Sequence, residues 1–118
     1  MTTDGIGPST LIVLNRDGMG DGDADLRAKL LTTYLTLLVE NDVLPGAICF
    51  YTEGVKLVCE GSPYLELLSA LEGKGVHLIV CTTCLKHYDL FDQVAVGIVG
   101  GMTDIITAQG KAAKVITL

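Results

Sequence analysis

Val76-His77-Leu78-Ile79-Val80-Cys81-Thr82-Thr83-Cys84 is the stretch on which the reading of this chain turns. The run 76–80 is apolar apart from one histidine, which is the signature of a buried strand rather than a surface one. It stops at a cysteine, and a second cysteine follows three positions later. In α/β proteins the C-terminal ends of strands are where ligands and reactive groups collect. A thiol at such a place can meet solvent, and a following helix N-terminus favours its thiolate.

Working outward, the same kind of run recurs at 11–14, 47–51, 94–99 and 115–118. Helical patterns separate these runs. Residues 24–41 place Leu26, Leu30, Tyr34, Leu37 and Leu38 at helical spacing, with Asp23 or Asp25 as the cap. A second helix starts with Pro63 at its first position, capped by Ser62, and runs to about Leu71, with Leu65, Leu67, Leu68 and Leu71 on its buried side. Residues 85–91 form a short helix, and 102–109 form another with Gly110 as its C-cap. Residues 52–62 read as a loop with an apolar middle. Strands alternating with helices predict an α/β fold whose mostly parallel sheet is covered on both faces. A lead over residues 1–10 precedes a single domain over 11–118, the size of one core.

Composition narrows the function. The chain is 49% hydrophobic and 19% charged, with a net charge of −6 over 118 residues. That charge argues against nucleic acid or an anionic membrane surface as partner. No run approaches the roughly 18 uncharged apolar residues of a span. The first nine residues show no basic n-region and no apolar h-region, so the expectation is a cytoplasmic chain with four reduced cysteines.

Cys81 and Cys84 are the candidate catalytic residues. Thiol chemistry needs an accessible thiolate and, in some mechanisms, a second thiol to resolve an intermediate. The alternatives are packing cysteines, a thioredoxin-like pair, and a zinc half site of Cys81, Cys84 and His87. Structural zinc asks for a second ligand pair, and Cys49 and Cys59, ten apart, do not form one. Thr82 and Thr83 between the cysteines, and His87 three positions on, are binding candidates. His77 reads as structural, Cys49 as core, and Cys59 as a thiol able to reach solvent. The loop 15–23 holds Gly20, Asp21 and Gly22. It fits neither a dinucleotide fingerprint, since its spacing is G-x-G-x-G, nor a calcium loop, since Leu26 and Thr32 fall at the glycine and glutamate positions. It reads instead as a strand-end loop bordering the cysteine crevice, with Gly20, Asp21 and Gly22 as binding candidates.

These stretches together resemble the DsrE/DsrF-like sulfur-relay family. The resemblance is carried by Gly20-Asp21-Gly22-Asp23, Glu60-Gly61-Ser62-Pro63, Gly75-Val76 with Cys81-Thr82-Thr83-Cys84-Leu85, and Val96-Gly97-Ile98-Val99 leading to Met102-Thr103-Asp104-Ile105. It covers residues 11–118 and is nearest to the C-terminal domain of YedF-like, sulfurtransferase-like proteins linked to selenium metabolism. The resemblance implies a three-layer α/β/α fold with a mainly parallel five-stranded sheet, and homo-trimers or homo-hexamers. It implies a persulfide held on a cysteine after the third strand, the position of Cys81, with Cys84 resolving or assisting release. It implies sulfur-donor and acceptor proteins, TusA-like or a cysteine desulfurase, and neither metal nor organic cofactor. YedF-like proteins also carry an N-terminal TusA-like domain with a Cys-Pro motif, absent from this sequence, and Glu53 stands where many relatives have asparagine. Two other readings stay open: a non-catalytic binding or assembly module, and a thiol–disulfide switch.

Overall fold

Every apolar run marked by the sequence contributes to one parallel sheet. The computed structural model describes residues 5–118; Met1 to Asp4, the first part of the expected lead, lie outside the described residues. The strands are β1 (Thr10–Leu14), β2 (Ala47–Phe50), β3 (His77–Cys81), β4 (Ile98–Gly100) and β5 (Lys114–Thr117). Their order is β4-β3-β2-β1-β5, and all neighbours are parallel. β1 is central and buried along its whole length, which is why its sequence shows no polar alternation. Just before it, the Thr10 N–H donates to the Gly7 carbonyl and the Ala113 N–H to Ser9.

The helices are α1 (Ala24–Glu40), α2 (Leu65–Gly73), α3 (Thr82–His87) and α4 (Met102–Lys111). Right-handed crossovers decide their sides. From β1 to β2 to β3 the chain advances in one direction, so α1 and α2 share a face and touch each other. From β4 it returns across the sheet to β5, which puts α4 on the opposite face. Parallel partners point the same way, and alternation has period two. Ile12, Leu14, Ile48, Phe50, Leu78 and Val80 therefore meet α1 and α2, while Leu11, Ala47, Ile79 and Cys81 belong to the face of α4. Each fully buried leucine of α1 and α2 contributes about 1.5–3 kcal/mol of burial.

Five sequence expectations are corrected. In α1 the buried side is Leu31, Leu35 and Leu38, whereas Leu26, Leu30 and Leu37 are exposed. The helix carries leucines on more than one side, so spacing does not choose between them. Residues 52–58 are a 3-10 helix rather than a loop. α2 starts at Leu65, after a turn in which the Tyr64 N–H donates to Ser62 Oγ at 3.2 Å. Of the run 94–99, only Ile98 and Val99 enter the sheet. The N–H groups of Ala95 and Val96 donate to the Val58 carbonyl instead, and Gly97, at φ +88°, turns the chain into β4. Gly110 is not a C-cap: α4 continues to Lys111, and the Ala112 N–H still reaches the Ala108 carbonyl.

Candidate active site

Three strand ends meet at the C-terminal edge of the sheet. β1 runs into the loop 15–23, β2 into Tyr51 and Thr52, and β3 directly into α3. Cys81 closes β3 and is also the N-cap of α3; Cys84 stands in that helix's first turn. The strand-to-helix join puts the two thiols next to each other. Their environments differ. Cys81 is 1% exposed, whereas Cys84 is half-buried and meets solvent.

The donor that reaches Cys84 is the Thr52 N–H, at 3.1 Å from Sγ. Thr52 has φ +47°, a region that a β-branched residue seldom occupies and that costs about 1–3 kcal/mol. Several contacts hold it there. Its hydroxyl donates to the carbonyls of Asn15 and Tyr51. The Tyr51 N–H donates to the Leu14 carbonyl, and the Gly54 N–H to that of Tyr51. Gly54 lies so close to β1 that a Cβ there would fall 1.9 Å from the Leu14 oxygen. The end of β1 thus fixes the loop that presents an N–H to the thiol of α3. The sequence pointed to a helix N-terminus for this purpose; α3 has only six residues, and the donor comes from another strand end.

Burial pushes the Cys84 thiol above its ordinary pKa, and the neighbouring Cys81 pushes the same way. The Thr52 N–H opposes both, because it stabilises the thiolate. The remaining cysteines are closed off. Cys49 has no exposed surface, and burial raises its pKa to about 11. Cys59, expected able to reach solvent, is 3% exposed, and its thiol donates to the Val55 carbonyl at 3.2 Å. Burial, then the charge of Glu60, raise its pKa. The 3-10 helix turns it inward, which a loop would not have done.

The other candidate residues separate. The Thr82 hydroxyl donates to the Gly100 carbonyl at 2.9 Å and ties α3 to β4. Thr83 is exposed. His87 is exposed and stacks edge-on against Tyr88, 5.1 Å between ring centres. His77 lies exposed at the far, N-terminal end of β3. Gly20, Asp21 and Gly22 line a crevice of about 420 Å3 with Asn15, Arg16, Arg27 and Glu53. This crevice adjoins the cysteines across Thr52, and neither cysteine lines it. Arg27 holds its rim, donating from Nε to the Gly22 carbonyl at 3.0 Å and from Nη1 to that of Asp17 at 2.9 Å. No group of three or more histidine, cysteine or carboxylate side chains converges as a metal site among the described residues. Sequence reasoning missed Thr52, Gly54 and Arg16. A threonine at positive φ leaves no mark in a sequence.

Residues 11–118 match the family model described as DsrE/DsrF-like. Among solved structures, the chain resembles the ychN protein from E. coli at 20% identity and a TM-score of 0.68, over 92% of this chain and 97% of that one. It resembles a protein of unknown function, MTH1491 from Methanobacterium thermoautotrophicum, at 22% identity and a TM-score of 0.66, again over 92% and 97%. A conserved protein of unknown function, BT1422 from Bacteroides thetaiotaomicron, is similar at 15% identity and a TM-score of 0.64, over 93% and 95%. A search of the curated proteins found no match. At these identities the likeness to solved structures is one of fold.

Proposed function

Because the chain belongs to the DsrE/DsrF-like family, we propose that it is a sulfur-relay protein that accepts a persulfide sulfur at the Cys81–Cys84 pair and passes it on. One observation carries this reading: adjacent thiols at a strand end, one facing solvent under a backbone N–H donor, the other behind it. The family resemblance implies Cys81 as the attacking thiol. Attack on a donor protein needs an accessible sulfur, so Cys84 takes that role here and Cys81 becomes the second thiol. The Cys84 thiolate attacks the outer sulfur of the donor persulfide. The donor S–S bond breaks, the donor leaves as a thiolate, and Cys84 holds the sulfane sulfur. An acceptor thiolate then takes that sulfur by the reverse exchange, with no net oxidation. Selenium would follow the same exchange.

The proposed donors and acceptors are a cysteine desulfurase and TusA-like proteins, in a cytoplasmic setting. No described helix is long and apolar enough to cross a membrane. Exposed Leu26, Leu30 and Leu37 on α1, and Met102 and Ile106 on α4, support a homo-trimer or homo-hexamer that covers them. Closeness to YedF-like proteins rests on the Cys-Thr-Thr-Cys spacing.

A second reading, a thiol–disulfide switch, is favoured by the closeness of the two thiols. One experiment separates the two. The reduced protein is incubated with a cysteine desulfurase and cysteine, and peptide masses are taken without reductant. A gain of about 32 Da, one sulfur, on the peptide carrying the pair, lost in Cys84→Ser and kept in Cys81→Ser, supports the relay with these roles. Loss in Cys81→Ser alone returns the carrier role to Cys81. A loss of about 2 Da across the pair points to the switch. No change in mass sinks the relay for that donor.

A further inference from the structure

The crevice beside the cysteines has the makings of a substrate subsite. Among the described residues, Arg16 makes one hydrogen bond, from Nε to Asn15 Oδ1 at 3.5 Å, and half-buried it lines the 420 Å3 crevice with its guanidinium otherwise uncommitted. Arg27, by contrast, is occupied by the backbone of its own loop. Asp21 stands exposed in the same lining, and Glu53, paired with Lys56 at 3.2 Å, completes it. The crevice therefore offers one fork-shaped cation for a carboxylate and carboxylates for an ammonium. Gly20 and Gly22 leave its floor without side chains.

The spacing sets the size of what fits. Asn15 follows β1, Thr52 follows β2 and Cys84 follows β3, in neighbouring positions along the sheet edge. The chain of contacts is direct: Asn15 accepts from Thr52, and Thr52 donates to Cys84. Two strand spacings are about 10 Å, the length of about three extended residues. A ligand of that length reaches from the end of β1 to the end of β3.

Resting on the relay reading above, we infer that the crevice binds a small peptide thiol, about three residues long and bearing free carboxylate and ammonium groups, as a persulfide donor to Cys84. A donor carboxylate pairs with Arg16, its ammonium faces Asp21 and Glu53, and its sulfurs lie over Thr52. The Cys84 thiolate, its proton given to water, attacks the outer sulfur of R–S–SH. The donor S–S bond breaks as the new one forms, R–S⁻ leaves and takes a proton from water, and Cys84 carries –S–SH. One S–S bond is exchanged for another, and no oxidant is consumed.

Glutathione persulfide is the probe, with inorganic polysulfide as a donor that lacks carboxylates. The rate of sulfur addition to the Cys84 peptide is followed by mass at increasing donor concentration. The expected result is saturation with glutathione persulfide, and a half-saturating concentration raised about tenfold in Arg16→Ala. Arg16→Glu should raise it further, while the polysulfide rate, from a donor with no carboxylate to pair, falls by much less than the glutathione persulfide rate in both variants. Unchanged half-saturation in these variants, or an equal fall in both donors' rates, overturns the inference. Modification by polysulfide or by a desulfurase, without saturation by glutathione persulfide, overturns the inference and leaves the relay standing. No modification of the wild-type pair by any of the three donors overturns both.

Discussion

Replacing Gly54 with alanine tests whether the end of β1 controls the thiol of α3. The added Cβ would lie 1.9 Å from the Leu14 oxygen and 2.7 Å from its carbonyl carbon, where real Cβ contacts begin above 3.0 Å. The loop must therefore retreat by about 1 Å, away from a buried backbone that cannot yield as a side chain does. Overpacking of this kind costs about 3 kcal/mol, which lowers the melting temperature of a domain this size by roughly 10 °C. The same retreat opens the 3.1 Å bond from the Thr52 N–H to Cys84. With the one influence that favours the thiolate gone, the Cys84 pKa rises further. A hydrogen bond of this class is worth about 1 kcal/mol, so alkylation of Cys84 at neutral pH should slow roughly fivefold. The assays are thermal melting by circular dichroism, and iodoacetamide labelling of the Cys84 peptide between pH 6.5 and 10. Gly73→Ala is the control, because nothing lies within 4 Å of that site and alanine favours a helix by about 0.8–1 kcal/mol. A Gly54→Ala protein that melts within about 2 °C of the parent, with an unshifted labelling profile, would refute the coupling.

Three further outcomes are expected. Cys49 is held as a neutral thiol, its pKa raised from 9.0 to about 11. The stability it contributes is complete below its unfolded value and is lost as pH rises through that window, amounting to about 2–3 kcal/mol. Cys49→Ala should lose less stability between pH 8 and 10.5 by urea unfolding; an equal loss in both proteins would show that Cys49 is not responsible. Arg27→Ala removes two side-chain hydrogen bonds to the loop 15–23, at a cost of about 1–2 kcal/mol. Hydrogen exchange at the Met19 amide, which bonds the Arg27 carbonyl at 3.1 Å, should accelerate, and unchanged protection would count against Arg27 as the clamp. Ile106 is 61% exposed on α4. If the proposed oligomer covers it, Ile106→Lys should shift the protein toward monomer in sedimentation, whereas a wild-type monomer would remove self-association from the proposal.

The sequence by itself determined the α/β class, the places of all five strands to within a few residues, and the position of the cysteine pair after the third. Those features are local: a strand buried on both faces must be apolar throughout, and a strand-to-helix join is marked where the run stops. What lay beyond it depended on distant parts of the chain. Leu31, Leu35 and Leu38 face the sheet because the crossover chooses a side of a helix whose spacing offers more than one. Residues 94–96 leave the sheet because the Val58 carbonyl takes the N–H groups of Ala95 and Val96. The same geometry decided the site. Cys81 ends a strand in the middle of the sheet and is covered, while one helical turn lifts its neighbour Cys84 to the surface. The N–H that meets Cys84 belongs to Thr52, 32 residues earlier in the chain, and is held by the carbonyls that end β1. Side-chain identity set which atoms could react; only the packing of three adjacent strand ends settled which of them faces water and what lies beside it.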